Sequence, residues 1–439
     1  MKPIASIVLA GLLVSAATPP QQRQQQGERS EIVAKIWAGQ PVDFAMIVRG
    51  QRLYVGYYGA DRRLVIASRA TSGGAWERQT LDTAVGWDSH NAITMATDSR
   101  GRLHVAANMH VSPMTYYMSD TSGSVSSLRR ISALIDPAQE QRITYPTFLK
   151  DQQGRFIFRY RDGMSGAGND IYNVFDASTL RWRRLTRMPV LDGEGKRNAY
   201  PIGPTMGPDG LFHMVWLWRD SPAAETSHDL SYARSPDLVH WTRSSGQPLS
   251  LPIRLANSEI VDPIPVHGGA INANVTFAFD AQKRIMIAYH KFDEHGDTQI
   301  YLARLERGRW HIAQATRWAG YRWDFKGGGT MAGEIKLSEP YQRGNIIVLQ
   351  IARQGKGMQL RLAADTLEPT NAPLPQSKAS TTSGWTAVSA PPGMKMNVLT
   401  TQGSGKRFRL TWPTLPNNRD LPRAKVPAPT ELRLTEQPL

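Results

Sequence analysis

The chain has no cysteine among its 439 residues. Without a thiol there can be no disulfide framework, thiolate metal site, cysteine nucleophile or lipoprotein anchor. Helical patterning is also missing, since no segment carries a sustained apolar stripe at helical spacing. After residue 31 no apolar run approaches the roughly 20 residues that a membrane-spanning helix needs. Acidic residues are in deficit: 37 Asp and Glu against 52 Lys and Arg, a formal net charge of +15. Such a balance attracts something negative, whether nucleic acid, an anionic membrane surface or an acidic polymer, and does not choose among them. Hydrophobic residues make up 41% and charged residues 20%, which describes a globular chain and excludes a disordered one.

The N-terminus narrows the choice. A charged start at Lys2, an apolar run from Ile4 to Val14 and small residues through Ala17 form a secretory signal pattern, with Val14–Ala16 as the cleavage region. A single N-terminal membrane anchor is the competing reading, but the run is too short to span a bilayer. The sequence therefore predicts a signal peptide over 1–17, a polar, Gln-rich linker over 18–30 and a mature protein that is periplasmic or secreted. That location disfavours nucleic acid and, once the signal is cleaved, a membrane partner. It favours an acidic extracellular polymer as the ligand of a monomer.

Self-similarity supplies the fold. A β-run followed by a tryptophan recurs as Leu64–Ser68 with Trp76, Tyr172–Ser178 with Trp182, Leu230–Ser235 with Trp241 and Ile300–Arg304 with Trp310. The tryptophans are 106, 59 and 69 residues apart. Because 106 is twice 53, a copy lacking its Trp is expected between the first two, at Met114–Asp120. A second unit alternates with the first: an Asp/Gly turn leading into a period-2 strand, at Asp98–Val105, Asp151–Phe158, Gly207–Val215 and, degenerately, Asp280–Ile287. Two hairpins in each 50–60 residues make a four-stranded propeller blade. The span 31–435 then holds about seven blades of one all-β catalytic domain, and 37 Gly with 29 Pro suit its many turns. The repeated tryptophans are expected to pack blades. The stretch from Pro413 to Leu439 is expected to close an edge and end in a loose tail.

Polar loops that break the repeat carry the chemistry. Gly86–Asn91 places His90 and Asn91 ahead of an inner strand, and Ala106–His110 places His110 at the far end of the same hairpin. Singly, each histidine reads equally well as a hydrogen-bonded loop residue, but as a pair they can face one opening. The next blade repeats the plan with Tyr145 before a hairpin and Tyr160 and Arg161 after it, followed by a Gly-rich loop, Met164–Asp170. That loop is not a phosphate loop, because no helix and no Gly-Lys-Ser/Thr follows. A third copy offers Arg197 and Tyr200 before the strand pair and Arg219 after it. Rim packing is the bland reading of the Tyr/Arg sets.

Glycoside hydrolysis normally uses two carboxyl groups flanking the bond. Asp88, Asp162 and Asp220 are present in these loops, but each stands beside an Arg or Ser that it could simply orient. β-Elimination from a uronate has different needs: a cation on the sugar carboxylate, a base for the C5 proton and an acid for the leaving O4. Arg suits the first role, His the second, and Tyr can give or take a proton near cations.

The motifs Asp88–Asn91, Asn108–His110, Thr144–Pro146 and Tyr160–Gly163 resemble those of a family of BNR-repeat propellers that includes ulvan lyases and lyases acting on L-rhamnosyl-α-1,4-D-glucuronate. The resemblance covers residues 40 to 300. It implies a polysaccharide lyase that cleaves rhamnosyl-(1→4)-uronate linkages of ulvan or gum arabic and leaves a 4,5-unsaturated uronate. It also implies His90, His110, Tyr145 and Arg161 as the catalytic set, with Asn91, Tyr160, Arg197, Tyr200 and Arg219 as substrate contacts. No cofactor is required by this reading. A structural calcium or zinc has no motif behind it: the cysteine that some ulvan lyases use for zinc is missing, and His267, His290 and His295 read better as loop histidines than as a metal cluster. The alternatives are a rhamnosidase- or sialidase-like propeller hydrolase, for which Ser235–Trp241 offers one degenerate Asp-box-like turn, and a non-catalytic propeller that binds acidic glycans.

Overall fold

Short alternating runs bounded by Asp/Gly turns fold here as antiparallel strands. The structure, a computed structural model, describes residues 27–375 and 384–439. The expected signal peptide and most of the linker lie outside the described residues. Among those described, no helix is long and apolar enough to cross a membrane.

The described strands form seven antiparallel sheets that follow one another along the chain. The first is a meander of four strands, Ala45–Arg49, Arg52–Tyr58, Arg63–Ala70 and Glu77–Ala84. The second runs from Ile93–Thr97 to Arg129–Ile131, and it contains Tyr116–Met118, the predicted copy without a tryptophan. The third begins at Ile143–Lys150 and the fourth at Asn198–Met206. The fifth spans Thr276–Phe279 to Arg309–Gln314, and the sixth lies within residues 335–363. The seventh takes Lys395–Gly403, Lys406–Thr414 and Thr430–Pro438 from the C-terminus and Arg29–Ile36 from the N-terminus. This architecture is all-β and consistent with a propeller.

Two expectations are corrected. The C-terminal stretch does not end as a loose tail: Thr430–Pro438 lies between Arg29–Ile36 and Lys406–Thr414 and pairs with both. Its alternation of Leu432 and Leu434 with polar residues is a strand pattern, which its proline-rich approach obscures. The Gly-rich run after Arg161 is not an open loop either. Residues Phe156–Met164 and Ala167–Asp176 pair along their whole length, so that only Ser165 and Gly166 make the turn.

Apolar packing links neighbouring sheets in order. One cluster joins the seventh, first and second sheets through residues such as Leu410, Leu53 and Val105. Others join the second to the third through Tyr116 and Phe158, the third to the fourth through Tyr172 and Trp216, the fourth to the fifth through Val215 and Ile287 and the fifth to the sixth through Met286 and Ile347. Strand Phe212–Arg219 is buried along its whole length, as expected for a strand covered on both faces. Of the repeated tryptophans, Trp182 and Trp241 are buried in these clusters. Trp76 and Trp310 pack at their margins and donate Nε1 to Glu31 and Glu259.

The Asp/Gly turns share one device. The Asp carboxylate folds back onto the backbone N–H groups of its own turn, as Asp98 does to Arg100 and Arg102, Asp151 to Arg155, and Asp280 to Gln282 and Arg284. All three carboxylates are fully buried, and each also meets the arginine four residues on. Removing one strands turn donors and a cation together. Asp280→Ala, which also uncovers the fully buried Arg304 beside it, is expected to lower stability by about 3–5 kcal/mol, read as a drop in the urea unfolding midpoint.

Candidate active site

The chain passes from the first sheet to the second through Gly86–Asn91, and it returns past the same place at Asn108–His110. Asn108 and Val111 have positive φ values of 59° and 52°. The Asn108 amide fixes this turn by donating to Thr83 Oγ1 at 2.7 Å and to the Ala84 carbonyl at 2.9 Å. His110 then opens a three-residue strand that pairs with Ile143–Lys150 of the third sheet. The second histidine is thus carried on a bridge between two sheets.

Both imidazoles converge on Asp88. His90 Nδ1 lies 2.7 Å from Asp88 Oδ1, and His110 Nδ1 contacts Oδ2. The rings stack with centroids 4.4 Å apart. Burial alone would raise the Asp88 pKa, but the hydrogen bonds from His110 and His90 outweigh it and hold the carboxyl well below the usual range. An ionised carboxylate only accepts, so each Nδ1 must carry its proton. The Nε2 of His90 is 3.3 Å from Thr330 Oγ1. The Nε2 of His110 has no hydrogen-bond partner among the described residues.

Tyr145 stands 5.9 Å from each imidazole, centroid to centroid. A register shift between Thr144 and Thr147 marks a bulge, and Tyr145 sits in it with φ 54°; such bulges re-aim side chains. The ring is 39% exposed. Burial of its hydroxyl is the main influence, with Tyr200 adding and Arg161 and Arg219 opposing, and the pKa is pushed up to about 12. Tyr200 moves the other way. Burial raises it, but Arg219, Arg161 and a hydrogen bond with Ser165 prevail and lower it.

Arg161 joins the two tyrosines, with its guanidinium 5.0 Å from the Tyr145 ring centre and 5.8 Å from that of Tyr200. It is only 5% exposed. Its Nε donates to the Gly163 carbonyl at 3.3 Å, while among the described residues Nη1 and Nη2 have no partner, and neither does Asn198 Nδ2 nearby. Gly168 allows this approach, since a Cβ there would lie 2.5 Å from Asn198 Oδ1 and 2.9 Å from Arg161 Cδ. A buried guanidinium with two idle donors is costly unless an anion meets it. A cavity of about 480 Å3 opens at this point, lined by Tyr145, Arg159, Arg161, Asn198, Tyr200 and Asn272. Arg219 lies 4.2 Å from the Tyr200 ring centre, held by Ser227 and Asn272.

His90, His110, Tyr145, Arg161, Tyr200 and Arg219 are therefore gathered in one place. The other expected contacts are placed differently. Tyr160 is 1% exposed, packed on Phe158, and its hydroxyl accepts from Arg184. Successive residues on a strand face opposite sides, so bringing Arg161 to the cavity turns Tyr160 into the core. This corrects its reading as a substrate contact. Arg197 is tied to Asp220 and Glu194. Asn91 makes backbone contacts, its carbonyl accepting from the Tyr58 hydroxyl at 2.8 Å.

Asp88, His90 and His110 are also close enough together to share a cation. Both Nδ1 atoms are turned onto the carboxylate, in the geometry of a hydrogen-bonded triad. Among the described residues His267, His290 and His295 form no such group. His290 is buried against Trp323, accepts from Asn274 and is pushed down to about 4 by burial. Asp220 is engaged by Arg197 and His228. Sequence reasoning missed Thr330 and Asp420. The Gly-rich run Lys326–Thr330 was the available signal, but it falls in a stretch without a clear repeat.

The fold and this cluster point to the BNR-repeat class. The chain belongs to the BNR repeat-containing family, whose pattern it matches over residues 52–318, more than half its length. No curated protein matches it. Among solved structures, the polysaccharide lyase Uly1 is similar at 14% identity and a TM-score of 0.63, covering 94% of this chain and 99% of that one. A PL25 ulvan lyase bound to -[GlcA(1-4)Rha3S]- is similar at 14% identity and a TM-score of 0.54, covering 89% and 94%. Likeness at this identity shows a shared fold.

Because the Asp88 pKa is lowered in the folded protein, its contribution to stability is fully present above the unfolded value of about 3.9 and is lost as pH falls below it. The difference in thermal midpoint between the wild type and Asp88→Asn is therefore expected to narrow as pH drops below about 4.

Proposed function

We propose that this protein is a polysaccharide lyase that cleaves an acidic polysaccharide at rhamnosyl-(1→4)-uronate linkages by β-elimination. One observation carries the reading: two imidazoles share a carboxylate beside a tyrosine that packs on a buried arginine with two idle donors. The family and the two lyase neighbours support it.

The geometry supports the following roles. Arg161 meets the uronate carboxylate through Nη1 and Nη2, which lowers the cost of carbanion character at C5. His110 is the base. Asp88 keeps its proton on Nδ1, so the lone pair of the unpartnered Nε2 faces outward and takes the C5 proton. The electron pair forms the C4–C5 double bond, and the C4–O4 bond breaks. Tyr145, which holds its phenolic proton to high pH, delivers that proton to the departing O4. His90 assists Arg161 in neutralising the carboxylate. Tyr200 and Arg219 extend the binding surface. Hydrolysis would need a carboxylate pair, but Asp88 is spent on the histidines and Asp220 on Arg197 and His228, which leaves Asp162 as the one loosely paired carboxylate of the three.

In this reading the seven sheets are seven blades, residues 1–17 export the protein to the periplasm or beyond, and the monomer acts without a cofactor. The positive net charge steers an anionic chain toward the site.

Digestion of ulvan or gum arabic is expected to raise the ultraviolet absorbance of the unsaturated uronate as chain length falls. Reducing ends without that absorbance would show hydrolysis, and saturable binding without shortening would show a lectin-like protein. His110→Ala and Tyr145→Phe are each expected to lower kcat by about 10²–10⁴-fold. Arg161→Met is expected to lower kcat/KM by about 10²–10³-fold.

A further inference from the structure

Two loops far from the histidines in sequence close over His90. One is Lys326–Thr330, between the fifth and sixth sheets. The other surrounds Arg419 and Asp420, between the last two strands of the C-terminus. They interlock. Arg419 donates through Nη2 to the carbonyls of Lys326 and Gly328, both at 3.0 Å. Gly327 and Gly329 have φ values of 82° and 76°, and a Cβ on either would come within 2.9 or 2.8 Å of Arg419. The glycine run is also pinned to the fourth sheet, where Gly327 N donates to Glu225 at 2.8 Å and Ala224 N to the Gly327 carbonyl at 3.0 Å.

This clasp delivers a chain of hydroxyls that ends on a carboxylate. Asp420 Oδ1 accepts from Ser89 N at 2.9 Å and from Ser89 Oγ at 2.6 Å, while Oδ2 accepts from Thr330 N at 2.8 Å. Ser89 Oγ and Thr330 Oγ1 are 2.7 Å apart, and Thr330 Oγ1 faces His90 Nε2 at 3.3 Å. Counting protons gives the chain a direction. Each hydroxyl has one proton to give. Ser89 gives its proton to Asp420, so Thr330 must give its own to Ser89. Thr330 then has only a lone pair for His90, an acceptor that suits a proton on Nε2. Nδ1 already carries one for Asp88.

We propose that the Thr330–Ser89–Asp420 chain is a positioning device that holds His90 as the doubly protonated member of the histidine pair, leaving His110 as the member with a bare Nε2. The charged and titratable groups around His90 fit this division. Asp88 contacts its Nδ1, and an Asp420 oxygen lies 3.6 Å from the same atom. His110 stacks on one side and Tyr145 stands at 5.9 Å. Two carboxylates thus serve one ring, while the neighbouring ring has a share of only one. Both clasp loops lie outside the part of the chain that matches the family, so the device belongs to the closing end of this fold.

The proposal rests on the lyase reading for its purpose but not for its test. Nitrogen-15 NMR of the histidine rings at neutral pH, assigned with His90→Ala, is expected to show N–H protons on both nitrogens of His90 in the wild type. Thr330→Val is expected to remove the one on Nε2, and Thr330→Ser, which keeps the hydroxyl, to restore it. Asp420→Ala removes the acceptor at the far end of the chain and is expected to act like Thr330→Val. In turnover, Thr330→Val and Asp420→Ala are expected to lower kcat about 100-fold with KM little changed, with Thr330→Ser recovering it. A bare Nε2 on His90 in the wild type, or a Thr330→Val protein whose His90 signals are unchanged, would overturn the proposal. If the His90 signals behave as expected while no acidic glycan yields an unsaturated product, the lyase reading fails and the protonation assignment stands.

Discussion

The candidate site depends on one carboxylate. Asp88 sits where the chain crosses from the first sheet to the second, and it receives an Nδ1 from each of two histidines 20 residues apart. Because both of its oxygens are used, it settles several things together. It fixes the tautomer of each ring, brings the rings into a stack and stays ionised despite partial burial. It is also removed from the pool of carboxylates that could do acid–base work alone. In the proposed reading this leaves the site to chemistry led by imidazole, phenol and guanidinium.

The architecture brings the parts of the site together from separate sheets. His110 lies on a short strand that leaves the second sheet to pair with the third, so the stacked histidines bridge two sheets. Tyr145 reaches them because a bulge turns it out of the regular alternation. Arg161 reaches the same spot from the adjacent strand, where Thr144 is its partner. Asp420 arrives from the other end of the chain. Its loop joins two strands of the seventh sheet, which is completed by Arg29–Ile36 from the N-terminus. Closing that sheet with both termini therefore also fixes the last contact on His90.

Much of this was legible in the sequence where the repeat is regular. Asp98, Asp151 and Asp280 marked turns because their carboxylates serve the same backbone donors each time, and the inner hairpins marked His90, His110, Tyr145 and Arg161, which the fold brings together. Legibility failed where a property depends on which face a residue takes. Tyr160 and Arg161 are neighbours with equal claim on the sequence, and only strand alternation sends one to the core and the other to the cavity. Arg197 matched a loop pattern, but its partners Glu194 and Asp220 occupy it, and such pairing cannot be read from spacing alone. Thr330 and Asp420 were invisible for a third reason. Each lies in an irregular connection, more than 200 residues from the histidine that it serves, and no local pattern records a contact of that range.

The site also shows how like residues acquire unlike roles. Tyr145 and Tyr200 face the same Arg161, and burial pushes both pKa values up. Arg219 stands over the Tyr200 ring and tips that residue the other way, so Tyr145 alone keeps its proton firmly. The two histidines share Asp88 in the same manner, and only one of them meets Thr330 and Asp420. In both pairs the surroundings separate two chemically identical groups, and pairs of titratable groups pushed apart in this way are where acid and base assignments are found. The differentiating neighbours are Arg219 in the fourth sheet, over the Tyr200 ring, and the Thr330–Asp420 clasp at His90. In the proposed elimination, the asymmetry of a proton taken at one carbon and given at the neighbouring oxygen would come from these neighbours, which act on an otherwise near-symmetric set of His and Tyr pairs.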